Sequence, residues 1–159
     1  MTAGADLPTG FAAIVDDFQA LTEPDRLQLL LEFSEGLPDL PATYIDHPDL
    51  LEPVPECQSP VFLAVAVGDD QAPDGGAPLG PDVPVRVFLS APREAPTTRG
   101  FAGILSEGLA GLTAAEVLAV PDDVPHRLGL DRAVSPLRLR GMAGMLGRIK
   151  RQVRERSGL

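Results

Sequence analysis

Val54-Pro55-Glu56-Cys57-Gln58-Ser59-Pro60, followed by Val61-Phe62-Leu63-Ala64-Val65-Ala66-Val67, is the stretch on which the reading of this chain turns. Its second half is an unbroken apolar run rich in Val. That pattern predicts a strand with both faces covered, or with one face covered and small side chains left on the other. Val61, Leu63, Val65 and Val67 point one way; Phe62, Ala64 and Ala66 point the other. Its first half is a loop, stiffened because Pro55 and Pro60 fix their own φ and lack an N–H. Cys57, the only cysteine in 159 residues, lies between them. Glu52, Glu56 and Gln58 are poor candidates for burial, so the loop reads as exposed, with the thiol at its tip. A lone cysteine is by default a small buried hydrophobe, and the adjacent Glu56 carboxylate opposes a thiolate. A cation that activates the thiol has to come from elsewhere in the fold or from a partner.

The rest of the composition bounds the class. The length fits one domain, residues 1–159, with a frayed terminus over 1–8 and a flexible strand connection over 68–84. Hydrophobic residues make up 44% and charged residues 23%, which argues against wholesale disorder. No apolar run is long enough to span a bilayer, and the first residues show no secretory signal, so the expected location is the cytoplasm, with no membrane partner. One cysteine forms no internal disulfide; the thiol is free, metal-bound or used between molecules. Net charge is −10, with 22 acids and 5 bases in residues 1–131 against 1 acid and 8 bases in residues 132–159. The acidic body disfavours nucleic acid. The basic tail is read as the C-terminal half of a helix, whose macrodipole favours cations.

Around the central stretch, periodicity places the other elements. Phe11, Ile14, Val15 and Phe18 mark one helix; Thr22 caps a second carrying Leu27, Leu30, Leu31 and Phe33, and the two are expected to form a hairpin ending near Gly36. Residues 37–55 hold five prolines, a density that predicts no regular element, with Tyr44 and Ile45 as residues able to pin the loop to the body. Residues 83–90 are a second strand, antiparallel to the first. Thr97 or Thr98 is expected to cap a helix with Phe101, Ile104, Leu105 and Leu109 on its apolar stripe. Thr113-Ala114-Ala115-Glu116 is a capping box. Ser135-Pro136 opens a last helix whose buried face is Leu139, Met142, Met145, Leu146, Ile149 and Val153.

His47, among acids in the Pro-rich loop, and His126 read as solvated or structural, since no further ligand types cluster with them. Gly-x-Ser-x-Gly, His-Glu-x-x-His and Cys-x-x-Cys are all absent, and Gly75-Gly76 is not followed by Gly-Lys-Ser/Thr. From residues alone, three functions remain open: a sulfur carrier acting at Cys57, a non-catalytic binding or regulatory module with a structural Cys57, and a one-cysteine thiol enzyme such as a peroxidase.

The order of these parts, with Val54-Pro55-Glu56-Cys57-Gln58-Ser59, Arg99-Gly100-Phe101-Ala102-Gly103-Ile104-Leu105 and Ser135-Pro136-Leu137-Arg138-Leu139-Arg140-Gly141-Met142, resembles the SufE family of cysteine desulfuration proteins over residues 11–155. The resemblance implies an α+β fold, a small antiparallel sheet packed with helices, like the scaffold proteins of iron–sulfur assembly. It implies a sulfur acceptor that takes persulfide sulfur onto Cys57 from a cysteine desulfurase (SufS-like), stimulates that enzyme, and passes sulfur to an iron–sulfur scaffold complex (SufBCD-like). No cofactor or metal of its own is implied; pyridoxal phosphate belongs to the partner. Arg138 corresponds to the family's desulfurase-engaging arginine, and Glu56, Gln58, Ser59 and Arg99 are expected to face partners. Glu56 stands where the family usually has Gly, Pro60 replaces a polar residue, no Trp follows, and the strand connection is longer. These departures bear on loop flexibility and partner specificity. A surface thiol further implies that Cys57→Ser moves stability by less than about 0.5 kcal/mol.

Overall fold

The computed structural model describes residues 6–68 and 80–159. Of the expected fraying over 1–8 and flexibility over 68–84, residues 1–5 and 69–79 lie outside the described residues; in the rest, Asp6 pairs with Arg127, the Gly68 N–H donates to the Pro84 carbonyl, and the Gly80 N–H to that of Ser157. The two apolar period-two stretches pair as β2 (Phe62–Val67) and β3 (Val85–Ser90), antiparallel, with Leu63 opposite Leu89, Val65 opposite Val87 and Val67 opposite Val85. A third, two-residue strand, β1 (Glu52–Pro53), joins the free edge of β2 and gives the sheet order β1-β2-β3. The expected antiparallel pair is therefore part of a three-stranded sheet. An edge is where a strand containing Pro53 fits, because the missing N–H then leaves no ladder bond unmade.

The Pro-rich segment is more regular than its composition predicts. It holds a helical turn, α3 (Ala42–Asp46), and a 3₁₀ turn (Pro48–Leu50). Pro41 precedes the first of these and Pro48 opens the second, positions where no intrahelical N–H is needed. Tyr44 pins this segment to the sheet, its ring 5.0 Å from that of Phe88, whereas Ile45 is exposed.

Helices cover the opposite face of the sheet. α4 (Pro96–Gly108) packs against β3, and α7 (Pro136–Ser157) packs across β2 with the predicted stripe of Leu139, Met142, Met145, Leu146, Ile149 and Val153 fully buried. Ser135 caps α7 by accepting from the Arg138 N–H at 3.3 Å, and Thr113 with Glu116 forms the predicted capping box on α5 (Ala114–Leu118). The short α6 (Val124–Arg127) completes the connection between α5 and α7. α4 starts at Pro96 with Ala95 as its N-cap, so Thr97 and Thr98 are helical residues and Thr98 is buried. Among the described residues no helix is long and apolar enough to cross a membrane.

α1 (Thr9–Gln19) and α2 (Glu23–Glu35) follow one another as predicted, but their main shared partner is α4 rather than each other. Of the stripe expected on α2 only Leu30 is fully buried; Leu31 and Phe33 are half-buried and Leu27 is exposed. The reason lies in two glycines of α4. A Cβ on Gly100 would stand 2.5 Å from the Leu30 carbonyl oxygen, and one on Gly103 would stand 2.2 Å from that of Phe33. The two helix backbones thus touch directly, and the contact runs through backbone as much as through the side chains of α2. Gly103→Ala is expected to lower stability by about 2–3 kcal/mol, because the atom it meets is backbone and cannot rotate away. A urea unfolding curve that superimposes on the wild type would show that the helices separate without cost.

Candidate functional site

Cys57 ends a 3₁₀ turn, Pro55–Cys57, and Gln58 after it takes a left-handed conformation, φ 55° and ψ 12°. That reversal turns the chain from the loop into Pro60 and β2. Gln58 and Pro60 are exposed, Glu56 and Ser59 half-buried, but the cysteine itself points inward and is only 9% exposed. The expectation of an accessible thiol is corrected here. The turn lies on α7, and its inward side chain joins the buried core, to which Val54 and Val61 also belong.

Two glycines of α7 make the seat. A Cβ on Gly141 would stand 3.2 Å from both Cα and Sγ of Cys57, and one on Gly144 would stand 2.4 Å from a carboxylate oxygen of Glu56. The Cys57 thiol donates toward the Gly141 carbonyl oxygen over 3.5 Å. Burial, reinforced by the neighbouring Glu56 carboxylate and opposed by Arg148, pushes the thiol pKa up to about 11. At neutral pH a thiol with that pKa is ionised to about one part in ten thousand. In the closed turn Cys57 is a protonated, shielded group.

A network of charge surrounds the turn. Arg148 forks onto Glu56, with Nε 3.0 Å from Oε2 and Nη2 2.6 Å from Oε1, and its Nη1 donates to Glu52 Oε2 at 2.6 Å. Glu52 also accepts from Arg151 and from Gln152 Nε2 (2.8 Å), while Gln152 Oε1 accepts from the Val65 N–H at 3.0 Å. Burial alone would raise the Glu52 pKa, but hydrogen bonds from Arg151, Gln152 and Arg148 outweigh it and lower the group to about 2. The hydrogen bonds from Arg148 likewise lower Glu56. The basic second half of α7 is thus more than a helix end: its Arg148 and Arg151 reach back across the structure to two acids about the turn.

Arg148, Arg151, Glu52, Gln152 and Gly144 are the residues that sequence reasoning missed. One signal was available. Gly141, Gly144 and Gly147 recur at three-residue spacing inside a helix, where each is disfavoured by about 1 kcal/mol relative to Ala. Such a cost marks a close approach of another chain segment, as Gly141 and Gly144 provide.

The other expected site residues divide. Arg138 is exposed in the first turn of α7, its Nη1 3.4 Å from Thr98 Oγ1, three residues before Gly141 and so on a neighbouring helix position. Arg99 is not at the surface. It is 9% exposed, with Nε donating to the Ser34 carbonyl oxygen (2.9 Å) and Nη1 to that of Ala91 (2.6 Å). These bonds tie the end of α2 and the segment after β3 to α4, which corrects its expected place facing a partner. His47 is exposed after α3, and His126 is exposed 3.5 Å from Asp131. Among the described residues no three His, Cys, Asp or Glu side chains are grouped to hold a metal ion.

A buried lone thiol on a proline-flanked turn, seated on a helix beside a small three-stranded sheet, describes a class of α+β protein. The sequence places it more closely. Residues 12–153 match the Fe-S metabolism associated domain, SufE, and the chain belongs to the SufE family. It is 50% identical over 155 residues to an uncharacterized SufE-like protein of Mycobacterium tuberculosis, covering 98% of this chain and 99% of the relative. It is 25% identical over 142 residues to SufE-like protein 1, chloroplastic/mitochondrial, of Arabidopsis thaliana, covering 89% of this chain and 34% of that longer protein. The solution structure of a hypothetical protein from Thermus thermophilus superimposes with a TM-score of 0.74 at 34% identity, over 96% of this chain and 99% of that one.

Glu52 makes the site sensitive to acid. Its folded pKa lies below the ordinary 4.5, so the stability it contributes is complete above about pH 4.5 and is lost as pH falls toward about 2. Solvent screening of a part-exposed carboxylate leaves this at about 1 kcal/mol. The stability gap between wild type and Glu52→Gln is expected to close as pH falls through that window, followed by urea unfolding at stepped pH. A gap that stays constant would remove Glu52 as a contributor.

Proposed function

We propose that this protein accepts sulfane sulfur on Cys57 from a pyridoxal-phosphate cysteine desulfurase, stimulates that enzyme, and passes the sulfur to an iron–sulfur scaffold complex in the cytoplasm. The observation that carries the reading is a single cysteine on a turn between exposed Pro55 and exposed Gln58, in a chain matched almost end to end by the domain associated with Fe–S metabolism. The chemistry balances with one cysteine. The Cys57 thiolate attacks the outer sulfur of a cysteine persulfide on the partner; that S–S bond breaks, the partner's thiolate leaves and takes a proton, and Cys57 now carries the persulfide. No oxidant is required, because the transferred sulfur is already at the sulfane level. A second cysteine nearby would resolve the persulfide to a disulfide, which the composition avoids. In this reading the chain carries sulfur and activates its partner, without a cofactor of its own.

For this step the turn has to leave its seat, since the thiol is buried and protonated there. A shielded thiol is protected from oxidation until a partner draws it out. Arg138 is the docking residue in this account. Exposed in the first turn of α7, it opposes the macrodipole and adds nothing to helix stability.

Burial of Cys57 is the one observation that favours a second reading, a binding module with a structural cysteine. Desulfurase turnover with and without the chain separates the two. The carrier reading expects wild type to raise turnover and Cys57→Ser to abolish the rise while costing about 1 kcal/mol of stability, more than a surface thiol would. Stimulation that survives Cys57→Ser selects the module. Arg138→Ala is expected to keep the fold within about 0.5 kcal/mol and to weaken half-saturation of the desulfurase about fivefold. Unchanged half-saturation makes Arg138 an ordinary surface arginine.

A further inference from the structure

Arg148 grips two carboxylates that differ in how firmly they are held. Glu52 belongs to β1, paired in register with Leu63 of β2, and is fixed by Arg148, by Arg151 and by Gln152, which is itself tied to the Val65 N–H. Glu56 belongs to the turn, adjacent to the cysteine, and is gripped by Nε and Nη2 of Arg148. Removing the turn from α7 breaks the Glu56 pair and leaves Arg148 still bonded to Glu52. The open state therefore strands no buried unpaired charge, the feature that makes breaking most internal ion pairs prohibitive. The Arg148–Glu56 pair is also within reach of solvent, with side chains 29% and 37% exposed. A pair of that kind is weak enough to open and close.

We propose that Arg148 is a positioning residue whose fork onto Glu56 is a reversible latch, with Glu52 as its fixed post, holding the Cys57 turn closed on Gly141 and Gly144 of α7. The latch rests on the sulfur-acceptor reading in one respect: it assumes that Cys57 has to emerge to do its work. Its presence in this chain follows from Glu56, which brings the fork to the residue next to the thiol. A partner opens the turn by offering Glu56 a competing cation or by offering Arg148 a competing carboxylate.

The sign of one effect separates a latch from simple electrostatics. Arg148 is a cation that lowers the Cys57 pKa, so by charge alone its removal makes the thiolate rarer and alkylation slower. By the latch, its removal frees the turn and makes alkylation faster. The experiment is the rate of iodoacetamide labelling of the full chain at fixed pH and low salt, for wild type, Arg148→Ala and Arg148→Lys. Arg148→Ala is expected to label about three- to tenfold faster than wild type, and Arg148→Lys, which keeps the charge and loses the fork, is expected to fall between them. Raising salt to about 0.5 M is expected to accelerate wild type more than Arg148→Ala, because screening weakens a latch that the variant lacks. Labelling of Arg148→Ala that is slower than or equal to wild type overturns the latch. So does a wild-type rate that is flat in salt, or a rise in the variant that tracks its global unfolding in urea. Labelling requires no desulfurase, so these failures leave the sulfur-acceptor reading to its own turnover test.

Discussion

The contact between the Cys57 turn and the glycines of α7 is the constraint on which the site depends. Gly141 has no side chain because Cα and Sγ of Cys57 occupy that space, and Gly144 has none because Glu56 does. That seat buries the thiol, and burial with the nearby carboxylate keeps it protonated. The same seat brings Glu56 to Arg148, one turn further along α7 from Gly144. Cysteine shielding and charge pairing are therefore two results of one packing arrangement, the placement of a short proline-bounded turn on a helix surface stripped of side chains.

α7 serves two purposes through two of its faces. Leu139, Met142, Met145, Leu146, Ile149 and Val153 fill the core against the sheet, and this fixes the rotation of the helix about its axis. With that rotation fixed, Gly141, Gly144, Arg148 and Gln152 are carried to the turn and to β1 without further instruction. Gln152 adds a link that neither face alone would supply, since it joins the β2 backbone at Val65 to Glu52. These bonds, with those of Arg148 to Glu52 and Glu56, hold the sheet edge, the turn and the helix in one frame.

The elements with strong periodicity are legible in the sequence. The alternation over residues 61–67 places β2, and the six-residue stripe of the last helix can be read residue by residue, because both patterns report directly on burial. The capping box at Thr113 and Glu116 is legible because its bonds are local. Contact between distant parts does not show. Arg148 and Glu56 are 92 residues apart, and nothing in the helix around Arg148 distinguishes it from a cation placed for the macrodipole. Arg99 reads as a surface residue because arginine usually is one; two backbone carbonyls brought to it by α2 and the strand exit hold it inside. Cys57 is misplaced by sequence reasoning for a related cause. Its polar neighbours do lie at or near the surface, and one left-handed residue, Gln58, lets the turn point the cysteine the other way.

In the proposed function Cys57, shielded at rest, becomes a sulfur acceptor when a desulfurase engages the turn. Intact-mass spectrometry of the protein after incubation with a cysteine desulfurase and free cysteine, with peptide mapping of the product, tests it most directly. The expected result is the gain of a sulfur atom mapped to Cys57, dependent on the desulfurase and absent when the chain is incubated with cysteine alone. A protein that stimulates the desulfurase yet never carries added sulfur at Cys57 would contradict it.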